Sequence, residues 1–308
     1  MTTALYTHPI FKKHNNTIKH PECPERIDSI MKAIEKNNLK DLLTFANFNK
    51  ATKADILLGH DQSYVDHILS LNIKEGAQHS IDGDTSLNEY SVEAALFGLG
   101  AINQAVEDVC SNKYKNAFVL ARPPGHHAEK ASAMGFCLFS NVALAALNSL
   151  EKQLAKKVLI IDFDVHHGNG TENVIENHED IYFFSSFQHP LYPDRPFNKN
   201  HPRILNLPLN SGMTGVEYLQ IWEDKVRPWM ESLDFDLILI SAGMDAHRLD
   251  PLANLNFEVE DFSELTRKIL ELARLKCEGR VVSHLEGGYH LEALGDCVAI
   301  HLKELLDH

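Results

Sequence analysis

One stretch, KVLIIDFDVHHGNG over residues 157–170, combines the residue types of metal chemistry with a spacing that would gather them. Val158, Leu159, Ile160 and Ile161 form a continuous apolar run of the kind that fills the middle of a parallel sheet. The run breaks into Asp162, Asp164, His166 and His167 before Gly168, Asn169 and Gly170. In an extended segment residues i, i+2 and i+4 share a face. The spacing therefore projects Asp162, Asp164 and His166 together from the carboxyl end of a buried strand, where open α/β sheets bind their ligands. Two carboxylates and an imidazole buried without a partner cost several kcal/mol. A divalent cation held by oxygen and nitrogen donors accounts for the pattern better than a bland core strand does.

Three further apolar runs end in residues of the same character. AFVLA (117–121) leads into RPPGHHAEKASAMGFC (122–137), a loop stiffened by two prolines and a glycine that carries the adjacent His126 and His127. DLILISAG (236–243) ends at Gly243, Met244 and Asp245, and RVVSHLEGGYH (280–290) ends in two glycines and Tyr289. Taken singly these are weak signals, since a histidine pair is often a polar loop and a tyrosine after glycines often starts a helix. Their common place at strand ends is what points to one site.

These runs alternate with segments of helical periodicity at about 91–109, 139–151, 170–178, 214–231 and 258–277, and further strands read at 181–186 and 203–209. The alternation predicts an α/β fold, a single three-layer domain over residues 1–308 with a mainly parallel central sheet flanked by helices. Residues 6–24 read as a loop with His8, His14 and His20 on the surface. Arg26 reads equally as a first-turn residue or a buried ion-pair anchor. The chain of 308 residues is 44% hydrophobic and carries a formal net charge of −14, with no Lys/Arg-rich run, which argues against direct nucleic-acid binding. That acidity modestly favours cationic substrates such as lysine peptides or polyamines, although a solvated acidic surface accounts for it more simply. The five cysteines have no CxxC spacing and read as free thiols of a reducing compartment. No signal core and no membrane-spanning run is evident, so the default expectation is a cytoplasmic protein that does not engage a membrane.

The segments HPECPERI (20–27), ARPPGHHAE (121–129), MGFCLFSNVA (134–143), IDFDVHHGNGT (161–171), SAGMDAHRLDPL (241–252) and LEGGY (285–289) together resemble the zinc-dependent histone deacetylases, within the arginase/deacetylase fold. Asn169, with the DPL and LEGGY wording, looks more like the class II and bacterial deacetylase-like branch. The resemblance implies Asp164, His166 and Asp245 as ligands of one catalytic Zn²⁺, an oxygen-rich set that would also accept Fe²⁺ or Co²⁺. It implies His126 and His127 as the tandem histidines facing the activated water, with Asp162 orienting His126 and Asn169 orienting His127. Because Asn169 carries no charge, His127 is read as the proton-shuttling base and acid and His126 as its electrostatic companion. Tyr289 corresponds to the phenol that polarises the amide carbonyl.

Gly135 and Phe136 correspond to one wall of a narrow acyl-lysine channel, and Tyr192, with Phe187 as a rival, to the other. Asp82 or Asp84 falls at the rim, where the family grips the substrate backbone. A structural K⁺ is implied near Asp162, Asp164, His166 and Ser185–Ser186. The implied reaction is hydrolysis of an acetylated lysine in a protein or peptide. An acetylpolyamine amidohydrolase is the nearest rival, disfavoured because Leu252, after Asp250 and Pro251, cannot pair with a distant ammonium. An inactive acyl-lysine reader is disfavoured by the complete set of catalytic residues, and arginase-like hydrolysis by the unexplained Tyr289 and tandem histidines.

Overall fold

A computed structural model describes residues 2–308. Its centre is a sheet of eight parallel strands: β1 (Thr3–Tyr6), β2 (Thr44–Phe45), β5 (Asn116–Val119), β6 (Val158–Asp162), β7 (Ile181–Gln188), β8 (Ile204–Leu209), β9 (Leu237–Ala242) and β10 (Val281–Leu285). The short antiparallel pair β3 (His79–Ser80) and β4 (Ser86–Leu87) lies apart from it. The sheet runs β2-β1-β5-β10-β9-β6-β7-β8, so the last two strands of the chain insert between β5 and β6. All residues of β6, β9 and β10 are buried. That is why these strands read as mostly apolar runs instead of alternating ones: helices cover both faces of a parallel sheet. The result is the single α/β domain with a parallel central sheet that the alternation predicts.

The insertion is the feature that matters for chemistry. It makes β5, β10, β9 and β6 consecutive neighbours, and their registers bring the carboxyl ends level: Val119 pairs with His284, Leu285 with Ala242, and Ser241 with Asp162. The four loops that carry His126 and His127, Tyr289, Asp245, and Asp164 with His166 leave the sheet side by side.

Several local expectations are corrected. The N-terminal TALY segment forms β1, a strand that the sequence pattern does not reveal. His14 is buried against Glu22 and Ser91, not on the surface. The helix expected over 214–231 is two α-helices, Gly215–Ile221 and Arg227–Ser232, joined by a π-helical turn at Trp222–Val226. Pro228, which lacks an N–H, stands at the start of the second piece, where the missing donor is tolerated. Among the described residues no helix is long and apolar enough to cross a membrane.

Candidate active site

Strand β6 stops at Asp162, so simple alternation does not gather the residues that follow it. Instead each acidic side chain folds back on the chain two residues on. Asp162 Oδ1 accepts the Asp164 N–H at 3.1 Å and Asp164 Oδ1 accepts the His166 N–H at 2.9 Å. These Asx-type bonds are what turn the backbone sharply enough to aim Asp164 and His166 at one point. Asp245 arrives from the end of β9, its Oδ1 accepting the Val165 N–H at 2.9 Å.

Asp164, His166 and Asp245 are buried, and each offers a ligand atom within 4.8 Å of the other two. His166 Nδ1 lies 3.1 Å from Asp164 Oδ1 and 3.2 Å from Asp245 Oδ2. Ligands about 2.0–2.1 Å from a tetrahedral ion are separated by about 3.3 Å, so these residues fit a zinc-sized divalent cation. The backbone makes room for the group. A Cβ on Gly243 or Gly287 would collide with the carboxylates of Asp164 and Asp245.

The two histidines beside this cluster have different electrostatics. His126 Nδ1 sits 3.0 Å from Asp162 Oδ2, and His126 Nε2 is 3.7 Å from Asp164 Oδ1. Burial alone would depress the His126 imidazole, but Asp164 and Asp162 outweigh it and hold the ring well above its ordinary value. His127 Nδ1 instead meets the neutral Asn169 Oδ1 at 2.7 Å. Burial, then the charges of His126 and His166, hold His127 well below the usual imidazole range. Two adjacent imidazoles are thus driven apart, one toward the cation and one toward the free base.

A cavity of about 170 Å³ opens onto His127 and His166. Gly135, Phe136, Leu191, Tyr192, Leu252, Tyr289 and Asp84 complete its lining. Gly135 and Phe136 both adopt left-handed backbone, φ +55° and +69°, and a Cβ at Gly135 would strike the His127 ring. Tyr192 packs edge-on to His127 with ring centroids 5.1 Å apart, whereas Phe187 is buried against His167 and does not line the cavity. Of the two rim candidates, Asp84 lines the cavity; Asp82 accepts the Asp84 and Thr85 N–H groups and shapes the turn. Tyr289 is gripped through its own backbone, its N–H donating to Asp250 Oδ2 at 2.7 Å, while Asp250 Oδ1 accepts the Leu252 N–H. A larger surface groove of about 530 Å³ lies between helices Glu25–Lys36 and Leu291–Asp307 and shares no lining residue with this cavity.

Sequence reasoning missed the residues that hold the loops. Glu286 Oε2 accepts the Gly125 and His126 N–H groups at 2.6 and 3.1 Å, fixing the histidine loop to the end of β10. Glu22 is a buried carboxylate paired with Arg122, and that guanidinium also donates to Phe11 O at 2.7 Å and His14 O at 3.0 Å. Burial would raise Glu22, but Arg122 outweighs it and holds the carboxyl well below its usual range. Arg26, left open by the sequence, is a buried anchor: its Nε donates to Gly288 O at 2.7 Å and its guanidinium lies 5.0 Å from the Tyr289 ring. Its place between an apolar run and two glycines is the one sequence signal that marks Glu286, though not the partner it holds.

Fold and site together define an α/β protein with a buried Asp-His-Asp cluster whose histidine lines a cavity shared with Phe136, Tyr192 and Tyr289. Residues 20–305 match the histone deacetylase domain family, and the chain belongs to that family. It is 38% identical to histone deacetylase 14, chloroplastic, of Arabidopsis thaliana, over 95% of this chain and 74% of the relative. It is 31% identical to a probable deacetylase of Archaeoglobus fulgidus, over 95% of this chain and 82% of the relative. The crystal structure of the HDA15 HD domain superposes with a TM-score of 0.91 at 31% identity, covering 100% of this chain and 88% of that one.

Proposed function

We propose that this deacetylase is a zinc-dependent amidohydrolase that removes acetyl groups from lysine side-chain amines in proteins or peptides. The observation that carries the reading is the cavity itself, about 170 Å³, which His166 and His127 line together with Phe136, Tyr192 and Leu252. An aliphatic lysine stem suits such a lining, and none of the last three offers a charge to a distant ammonium.

Asp164, His166 and Asp245 would hold the ion, with Zn²⁺ favoured and Fe²⁺ or Co²⁺ as substitutes, and a bound ion supplies Lewis-acid polarisation of the acyl carbonyl. His127, kept neutral, removes a proton from the attacking water and delivers it to the leaving amine, releasing acetate. His126, kept cationic against Asp162, supports the negative charge that develops. Tyr289 donates its O–H to the carbonyl oxygen as that oxygen becomes an oxyanion. A structural K⁺ near Asp162, Asp164, His166 and Ser185–Ser186, and a cytoplasmic setting in keeping with five free thiols, belong to the same reading.

Asp84, the acid in the cavity lining, is the rim carboxylate of this reading and would accept from the backbone N–H groups of a peptide substrate, with acetylpolyamines kept as the rival substrate class. The metal-loaded protein is assayed on an acetyl-lysine peptide, N-acetylputrescine and acetylspermidine. Peptide turnover that chelation abolishes and zinc restores is the expected result. Turnover of polyamines alone would overturn the lysine reading, and inactivity on all three would overturn the amidohydrolase reading.

A further inference from the structure

Asn169, the neutral partner of His127, is itself held by a carboxylate. Its Oδ1 lies 2.7 Å from His127 Nδ1, and its Nδ2 donates to Glu129 Oε1 at 2.8 Å. The remaining contacts of Nδ2, at 3.4 Å, are His127 O and Met134 Sδ, both acceptors. The amide orientation follows from chemistry. A carboxylate only accepts hydrogen bonds, so the NH₂ end must face Glu129 and the oxygen must face the ring. An amide oxygen also only accepts, so the His127 Nδ1 must carry its proton. In the neutral ring Nε2 is then left as the lone-pair nitrogen, the form a base requires.

We propose that Glu129 is a positioning residue for the reaction. It sets the direction of the Glu129–Asn169–His127 chain, holds His127 in the tautomer that is basic at Nε2, and supplies through the amide dipole the negative charge that Asn169 lacks. This rests on the deacylase reading of the site. Hydrogen bonds in such a chain polarise one another in a low-dielectric interior, which lets a carboxylate act two bonds away. Arg195, on the same loop as Tyr192, makes a loose, half-exposed ion pair with the same oxygen, its Nε 3.5 Å from Glu129 Oε1.

A purely structural Glu129 would tie down its loop regardless of what stands at position 169. A relay would not, because an acid at 169 would carry the charge itself and face Glu129 as a like charge. The test is a cycle of four metal-loaded proteins: wild type, Glu129→Gln, Asn169→Asp and the double variant. In the wild-type background Glu129→Gln is expected to lower kcat about tenfold or more, with KM changed by less than about twofold. In the Asn169→Asp background the same substitution is expected to cost nothing or to raise kcat. Equal losses in both backgrounds overturn the relay.

A second readout does not depend on turnover. Nitrogen-15 NMR of labelled histidine should show His127 as the Nδ1–H tautomer in the wild type and a mixture in Glu129→Leu. A wild-type ring protonated at Nε2 overturns the proposal. If the wild type hydrolyses no acylated amine, the deacylase reading fails while this spectrum still decides what Glu129 does.

Discussion

Tyr289 is useful only as an O–H. Burial, despite the opposing charge of Arg26, holds its phenol well above the ordinary tyrosine value, so it stays a donor wherever the protein is folded. Tyr289→Phe deletes that donor and leaves the ring packing against Phe136 and Arg26. The expected loss is about 10²–10³ in kcat with nearly unchanged KM, read by steady-state kinetics on the acetyl-lysine peptide. The proposed ligands should behave differently from the proposed base. Asp245→Ala should lose both bound metal and turnover, measured by elemental analysis after gel filtration, whereas His127→Ala should keep the metal and lose turnover. A His127 variant that also lost its metal would place that ring among the ligands. At this scale the sequence was most legible where a residue type is itself unusual, as with Asp164, His166 and Asp245. It was least legible where ordinary acids act on backbone or amide groups: nothing in a lone Glu129 or Glu286 announces its partner.

The elements explain why the site is assembled at strand ends and why glycines stand there. Gly287 leaves β10 directly against the cluster: a Cβ would strike the Asp245 carboxylate and come within 2.6 Å of Asp164 Oδ2, while the Gly287 N–H donates to that oxygen at 2.8 Å. Gly287→Ala therefore has to displace two ligand carboxylates while leaving the sheet intact. Metal affinity is expected to fall about 10–100-fold with an unchanged melting profile of the metal-free protein, measured by competition with a chromophoric chelator. Retained affinity would mean that the strand end yields instead. The sequence exposed each of these strand ends because buried parallel strands are continuous apolar runs. It did not expose their adjacency, since β9 and β10 reach their places between β5 and β6 through long-range pairing that no local pattern encodes. The same holds for β1, a four-residue strand too short to show a period, and for His14, whose burial depends on Glu22 and on Ser91 77 residues away.

For the molecule as a whole, the last two helices are tied to the sheet through a histidine whose burial disfavours its charged form. His301, on helix Leu291–Asp307, is fully buried, with Nδ1 2.7 Å from Thr266 Oγ1 on helix Val259–Cys277 and Nε2 2.9 Å from Ser283 Oγ on β10. Burial pushes its imidazole down to about 3. Above the unfolded value of about 6.5 both states are neutral and the packing contributes fully to stability. As pH falls below that value the unfolded chain binds a proton that the native ring refuses until about pH 3, so stability is lost at about 1.4 kcal/mol per unit. His60, pushed down to about 4 by its own burial between the Glu129 carbonyl and the Ser140 N–H, adds a second slope of the same sign. His301→Gln should lower stability near neutrality but remove one of these slopes. Between about pH 6.5 and pH 5 the wild type should therefore lose about 1.5 kcal/mol more than the variant, measured from urea midpoints. Groups at the metal cluster titrate in both proteins and cancel in the difference. Parallel pH profiles would mean that the ring is protonated in the native state, and that the hydroxyls of Thr266 and Ser283 hold an imidazolium.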